Sequence, residues 1–217
     1  MKRGDHLAEQ LRVYFVVGSQ DCDYSAEKTV QVAREALAGG AGALQFRDKK
    51  SKLTVEEREQ LAIALQAVCK EHGALFFIND DVDMAIRLQA DGIHVGQEDM
   101  ALTQVRSLVS TDMLIGVSAG TVEEALLARV QGTDYIGVGA MYATGSKADA
   151  GDPIGPAGLK EIREAVGPSL PIVGIGGITI DNASKVLEAG ADGVAIISAI
   201  TKADSPREVV GRFLALF

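Results

Sequence analysis

Gln45, Arg47 and Lys49 stand two residues apart in the stretch Gln45-Phe46-Arg47-Asp48-Lys49, directly after the apolar run Ala41-Gly42-Ala43-Leu44. On a strand that continues through this stretch, alternate side chains share one side. An amide, a guanidinium and an ammonium group then line up at the strand's carboxyl end. Such a trio suits a polar heterocycle bearing a phosphate or diphosphate, because Arg and Lys neutralise phosphate oxygens. Taken alone, the same stretch also reads as a charged strand exit on a solvated surface.

Other residues with chemical potential recur along the chain. Asp80 and Asp99 are the candidates for metal ligation, two carboxylates that with diphosphate oxygens and waters suit octahedral magnesium. Asn79-Asp80-Asp81 equally reads as a helix cap, and Asp81 is assigned to that cap, while Asp83 and Glu98 are read as facing solvent. Gly174-Ile175-Gly176-Gly177-Ile178 and Ile197-Ser198 have the character of a phosphate grip built from backbone N–H groups, with tight turns as the alternative. Tyr142-Ala143-Thr144-Gly145-Ser146-Lys147 reads as a lid, with Lys147 directed at a phosphate, or as a surface loop. His94, between Ile93 and Val95, reads as a hydrogen-bonded core residue, not a base. No Ser-His-Asp grouping and no H-E-x-x-H motif is present, so hydrolase chemistry has no visible nucleophile or zinc site.

The elements that must position these residues alternate along the chain. Val13-Tyr14-Phe15-Val16-Val17 has the continuous apolar character of a strand buried on both faces. A helix is expected over 25–37, ending at Gly39-Gly40, and the next strand ends in Gln45–Lys49. Thr54-Val55-Glu56-Glu57 is a capping box opening a helix to about His72-Gly73. Strands follow at 74–78, 92–95, 113–117, 134–139, 171–175 and 193–197, with helices at 102–109, 121–130, 156–166 and 180–189 and a loop from Ala140 to Gly155. Thr121-Val122-Glu123-Glu124 is a second capping box, and Ser205-Pro206-Arg207-Glu208 starts the last helix with Pro where no N–H is needed. Ala90-Asp91-Gly92-Ile93, Gly132-Thr133-Asp134-Tyr135 and Ala191-Asp192-Gly193-Val194 echo one another at the start of even strands. Eight strands alternating with eight helical stretches, without a G-x-G-x-x-G after the first strand, predict an α/β fold, a single (β/α)8 TIM barrel. One domain covers residues 1–217, with 1–12 as an N-terminal extension. In such a barrel the chemistry gathers at the carboxyl ends of strands, where these polar residues fall.

Bulk properties narrow the function classes. At 217 residues with 47% hydrophobic residues the chain can bury a sizeable core. Its 21 Lys and Arg against 30 Asp and Glu give a net charge of −9, without a basic block, so nucleic acid and anionic membrane are poor partners. No run reaches the roughly 18 apolar residues of a membrane span, and the N-terminus does not read as a secretory signal. Cys22 and Cys69 lack metal-ligand spacing or a disulfide framework and are read as reduced thiols of a cytoplasmic protein.

With these motifs in order, the chain closely resembles the thiamine-phosphate synthase (thiamine-phosphate pyrophosphorylase) family from about Tyr14 to the C-terminal helix. The resemblance is carried by Gln45–Lys49, Ile78-Asn-Asp-Asp81, Ala90-Asp-Gly-Ile-His-Val-Gly-Gln-Glu-Asp99 and Gly116-Val-Ser118. The Thr144–Lys147 loop, Val173-Gly-Ile-Gly-Gly-Ile178 and Ala191-Asp-Gly-Val-Ala-Ile-Ile-Ser198 complete it. It implies a transferase that joins a hydroxymethylpyrimidine diphosphate to a thiazole phosphate with magnesium, releasing diphosphate. Carried over, Gln45, Phe46, Arg47, Asp48, Lys49, Asn79, Ser118 and Lys147 hold the pyrimidine diphosphate, with Arg47, Lys49, Ser118 and Lys147 in catalytic roles. Asp80 and Asp99 ligate Mg2+, and Thr144, Gly145, Ser146, Gly177, Ile197 and Ser198 hold the thiazole phosphate. A homodimer is implied as well. The lid, Pro-Thr-x-Thr-Lys in the family, reads Ala143-Thr144-Gly145-Ser146-Lys147 here; Ser146 keeps the hydroxyl, whereas Ala143 and Gly145 loosen the backbone. Gly120 stands where relatives often carry histidine. The resemblance implies a histidine near that place in a related thiazole tautomerase, so Gly120 counts against that alternative. A non-catalytic phosphate-binding barrel is the other.

Overall fold

The computed structural model describes residues 6–49, 51–146 and 152–217; Lys147 lies outside the described residues. The chain runs α1 (Leu7–Gln10), β1 (Val13–Val17), α2 (Ala26–Ala38), β2 (Ala43–Phe46), α3 (Val55–His72), β3 (Leu75–Asn79), α4 (Val82–Leu88), β4 (Gly92–Val95) and α5 (Leu102–Leu108). It continues β5 (Leu114–Ala119), α6 (Val122–Val130), β6 (Tyr135–Val138), α7 (Gly155–Val166), β7 (Ile172–Ile175), α8 (Ala183–Glu188), β8 (Gly193–Ile196), α9 (Ser198–Thr201) and α10 (Pro206–Leu214). All neighbouring strands pair in parallel and β8 closes on β1 through Val13↔Val194, Tyr14↔Ala195 and Phe15↔Ile196. The fold is the expected (β/α)8 barrel.

Closure gives each strand two buried faces, which is why the strands read as continuous apolar runs. Val13, Phe15 and Val17 pack outward with the helix layer, whereas Tyr14 and Val16 pack inward with Ala43, Phe77, Leu114, Tyr135, Val173 and Ala195. The same parity puts Gln45, Asn79, His94 and Ser118 on the lumen side.

The amino end of the barrel is latched by the echoed aspartates. Asp91 accepts from the Phe76 N–H at 3.0 Å, Asp134 from Ile115 at 2.7 Å and Asp192 from Ile172 at 2.8 Å. The residue before each of β4, β6 and β8 thus ties the start of the odd strand before it. Arg106 pairs with Asp134 at 2.7 Å, and Arg163 pairs with Asp192 at 2.5 Å while also donating to the Gly167, Leu170 and Gly190 carbonyls.

Several local features differ from expectation. Within residues 1–12, α1 inserts Leu7 and Leu11 into the lumen core, so part of the extension plugs the barrel floor. The reciprocal half of the capping box at Thr121 does not form: Thr121 caps the Glu124 N–H, but the Glu124 carboxylate reaches one residue further back, to the Gly120 N–H at 2.7 Å. The helix expected over 180–189 begins only at Ala183, because Asn182 Oδ1 takes the Thr179 N–H and holds the preceding residues in a turn. A further short helix, α9, starts at Ser198. Among the described residues no helix is long and apolar enough to cross a membrane.

Candidate active site at the carboxyl rim

The exits of β1 and β2 are clasped together before any ligand is considered. Asp48 Oδ1 accepts from the Ser19 N–H at 3.0 Å and from the Ser19 hydroxyl at 2.7 Å, and Gln20 Nε2 donates to the Arg47 carbonyl at 2.8 Å. Arg47 is buried, and its positive charge favours the ionised form of Asp21, although burial raises that carboxyl's pKa overall. Phe46 points the other way, into the outer core, with the Arg58 guanidinium 5.8 Å from its ring centre. β2 ends at Phe46, short of the continuation to Lys49 on which a shared side for Gln45, Arg47 and Lys49 depended; within the strand Gln45 lies on the lumen side and Phe46 on the helix side.

Asp80 follows β3 with φ 63°, a left-handed backbone that Asp tolerates better than most residues. Its neighbour Asp81 caps α4 through the Met84 N–H at 2.9 Å and pairs with Arg58, as assigned from the sequence. Freed of capping, the Asp80 carboxylate meets the Lys49 ammonium at 2.7 Å and the Asp99 carboxylate in hydrogen-bond contact. Asp99 also receives the Gly96 N–H at 2.7 Å, which fixes it. Burial first, then the Asp99 carboxylate beside it, push the Asp80 pKa up to about 6 against the pull of Lys49. Two close carboxylates with hard oxygen donors fit a divalent cation, which would remove the repulsion they carry. Among the described residues no group of three or more His, Cys, Asp or Glu side chains gathers.

A cavity of about 320 Å³ opens beside them, at the small end of ligand pockets. Lys49, Asp99, Ser118 and Thr144 share its wall with Gln97, Glu98 and the glycines of the β4, β5, β6 and β7 ends. Glu98 is exposed, as expected, yet it stands at this mouth. Gln45, Phe46, Arg47, Asp48 and Asn79 are not part of that wall. Asn79 ends β3 in register with His94.

A smaller recess adjoins it. Thr144, Ser146, Gly177, Ile197 and Ser198 line that recess together, although more than fifty residues separate the first from the last. The loop after β6 reaches it because it is zipped onto the end of β7: the Met141 N–H donates to the Ile175 carbonyl and the Tyr142 N–H to the Gly176 carbonyl, both at 2.9 Å. Gly177 has φ 62°, and a Cβ there would lie 2.7 Å from the Ala143 carbonyl oxygen, so only glycine lets the two loops approach this closely. Gly145 lines the wider cleft outside.

Sequence reasoning missed the polar line inside the lumen. Gln45 Nε2 donates to Tyr14 Oη at 3.0 Å, Tyr14 Oη contacts Tyr135 Oη at 2.9 Å, and Tyr135 Oη contacts His94 Nδ1 at 2.9 Å. His94 Nε2 then meets Ser118 Oγ at 2.9 Å. His94 is thus the hydrogen-bonded interior residue it was read as. Tyr14 and Tyr135 lie 121 residues apart, inside runs that looked purely apolar, and no local signal joins them. Gln97, which donates to the Ser118 carbonyl at 2.5 Å, was likewise passed over.

Comparison with known proteins adds an independent line. A sequence model of the family described as thiamine monophosphate synthase matches residues 13–200. A curated relative from Bacillus cereus (strain 03BB102), named thiamine-phosphate synthase, is 48% identical over 205 residues, covering 94% of this chain and 91% of the relative. One of the same name from Bacillus thuringiensis (strain Al Hakam) is 49% identical over 203 residues, covering 93% and 90%. The solved structure of a thiamine phosphate pyrophosphorylase from Pyrococcus furiosus superposes with a TM-score of 0.85 at 36% identity, over 97% of this chain and 96% of that one. An N-acetylmannosamine-6-phosphate 2-epimerase from Clostridium perfringens, at 17% identity and a TM-score of 0.67, shares the fold alone; the alignment covers 98% of this chain and 96% of that one.

Proposed function

The chain belongs to the thiamine monophosphate synthase family, and from that premise we propose that its carboxyl rim joins a pyrimidinylmethyl diphosphate to a thiazole phosphate, using Mg2+. The activity is that of a thiamine-phosphate synthase, a transferase. The observation that carries the mechanistic reading is the pair of adjoining compartments: one with Lys49, Asp99 and Ser118 beside the acidic pair, the other with Ser146, Gly177, Ile197 and Ser198, and Thr144 in both walls.

In this reading Arg47, Lys49 and Lys147 surround the diphosphate, while Gln45, Asn79 and Ser118 hold the pyrimidine. Phe46 and Asp48 serve by anchoring the strand exit, Phe46 in the outer core and Asp48 on Ser19. Asp80 and Asp99 would hold Mg2+, which when bound supplies a Lewis acid for the oxygens of the leaving diphosphate. The carbon–oxygen bond breaks, the electron pair leaves with diphosphate, and Arg47, Lys49 and Lys147 stabilise the charge that develops there. The pyrimidinylmethyl cation left behind draws electrons from its ring amino group until the thiazole nitrogen attacks. Thr144, Gly145, Ser146, Gly177, Ile197 and Ser198 orient that nucleophile through its phosphate. No protein base is needed in this reading, which assigns the rim carboxylates Asp80 and Asp99 to the metal. The thiazole tautomerase alternative finds no support at Gly120, which has no side chain and whose N–H is taken by Glu124. A homodimer, carried from the family resemblance, and a cytoplasmic location, carried from the reading of Cys22 and Cys69 as reduced thiols, belong to the same proposal.

The test is release of diphosphate by the purified protein. We expect release only when the pyrimidine diphosphate, the thiazole phosphate and Mg2+ are all present. Isomerisation of a thiazole alone, or binding without turnover, would overturn the reading.

A further inference from the structure

The β2 ladder stops one residue before Arg47, so the sheet itself does not place the two cations that follow. That task falls to the exit of β1. The Arg47 N–H donates to the Val17 carbonyl at 2.8 Å, and Gln20 Nε2 donates to the Arg47 carbonyl at 2.8 Å. Asp48 Oδ1 takes both the N–H and the hydroxyl of Ser19, at 3.0 and 2.7 Å. Gln20 is itself fixed, because the same Nε2 bonds Asp21 Oδ2 at 2.8 Å, and that oxygen also accepts from the Gly18 N–H at 3.0 Å. The two exits touch backbone to backbone: a Cβ at Gly18 would lie 2.2 Å from the Arg47 carbonyl oxygen.

This joint is polar where packing alone would favour apolar side chains. Ser19 is fully buried and Asp48 is 6% exposed, and Asp48 Oδ2 and Gln20 Oε1 are buried with no hydrogen-bond partner among the described residues. Such atoms cost stability. What a polar joint adds is direction: hydrogen bonds fix distance and angle, whereas apolar burial is non-directional. It also disposes of a charge. Asp48 stands between two cations in the sequence, and a carboxylate turned towards a phosphate site would repel the ligand. Tied to Ser19, it lines neither the large cavity nor the recess. The next side chain, Lys49, does line the large cavity and meets Asp80 at 2.7 Å.

We propose that Ser19 and Gln20 are positioning residues: by holding Asp48 and the Arg47 carbonyl past the end of β2, they set where the Arg47 and Lys49 charges stand at the rim. Neither lines the cavity that Lys49 lines, so they act through the cations they place. The inference deepens the proposed function and rests on it for its effect on turnover. A displacement on the order of 1 Å at a site that works by positioning can lower the rate by about a hundredfold.

Double-mutant cycles on turnover, with both substrates and Mg2+ present, test it. Ser19→Ala keeps the N–H tie to Asp48 and loses the hydroxyl one. We expect kcat to fall about tenfold while KM for the thiazole phosphate stays within about twofold. Made again on Arg47→Ala and on Lys49→Ala, the same change should cost about threefold or less on at least one of them, since the group it places is gone. A tenfold loss undiminished on both backgrounds, which a merely structural role would give, would overturn the proposal, and so would wild-type kcat in Ser19→Ala. Asp48→Asn, which keeps the Oδ1 acceptor, should retain more turnover than Asp48→Leu; equal losses would also count against it. If Ser19→Ala does not fold, Gln20→Met removes the tie to Arg47 at nearly constant volume and enters the same cycles. Absence of diphosphate release by the wild type would sink the proposed function and this inference with it. Release by the wild type with additive cycles would sink this inference alone.

Discussion

Asp192 and Asp80 are the same residue type at opposite ends of one barrel, and their surroundings have little in common. Asp192 accepts from the Ile172 N–H, and Arg163 bonds both Asp192 and three carbonyls around it. Asp80 faces another carboxylate, with one ammonium against it, on a left-handed backbone. Close by at the same rim, Asp48 Oδ2 and Gln45 Oε1 are buried without hydrogen-bond partners among the described residues. A polar group left unsatisfied by the fold costs stability and holds binding capacity in reserve. The amino end is closed on itself; the carboxyl end keeps buried polar atoms unpaired among the described residues.

Breaking the comparison at its active end has the largest expected effect. Asp80→Asn with Asp99→Asn should reduce Mg2+-dependent turnover by on the order of a thousandfold while the fold persists; a normal Mg2+ titration of the double variant would refute the metal assignment. Arg47→Ala or Lys147→Ala should slow turnover by about a hundredfold, since one charge-stabilising group contributes about 3 kcal/mol, as single-turnover rates would reveal. At the other end the sign reverses between the two readouts. Asp192→Ala should cost about 2 kcal/mol of unfolding free energy, because it strands Arg163 and the Ile172 N–H, and leave kcat unchanged. Denaturant melts and turnover measured side by side would show it.

The smallest effect is the most diagnostic. Because the folded-state pKa of Asp80 is raised to about 6, the folded protein holds that proton to a higher pH than the unfolded chain does. Stability therefore falls as pH rises from about 4 to about 6, and the penalty is present in full at pH 7. Asp80→Asn, a side chain tolerant of φ 63°, should raise the metal-free stability at pH 7 by about 1 kcal/mol, or about 2–4 °C in Tm, and change little at pH 4. A variant less stable than wild type at pH 7 would mean that the Lys49 pair outweighs the repulsion.

What was legible in the sequence depended on how local its cause was. β4 appears at Gly92–Val95 as read, and Thr54 and Glu57 close their capping box, because both are decided within a few residues. The Ala-Asp-Gly echo was visible as a repetition, but its partner N–H groups lie 15 to 20 residues upstream and became apparent only with the strands paired. The candidate site residues stood out as a set because barrel topology sends every strand exit to one rim, although Gln45, Arg47 and Asn79 lie outside the wall of the cavity that Lys49, Asp99 and Ser118 share. Phe46 and Asp48 fell inside that set by adjacency, and parity and the Ser19 clasp give them other neighbours. The N-terminal plug escaped notice because only Leu7 and Leu11 are apolar enough to signal it, four apart in a charged stretch. The Tyr14–Tyr135–His94 line is a three-strand encounter with no periodicity to announce it.

Thr144 stands in the walls of the large cavity, the recess and the outer cleft alike. It is a party wall between two tenants. Any change in its bulk is felt on both sides at once, so on the proposed function affinity for one substrate is not tuned there without moving the other. Evolution or engineering aimed at a single partner has to work further out, at Ser198 for one compartment or Gln97 for the other.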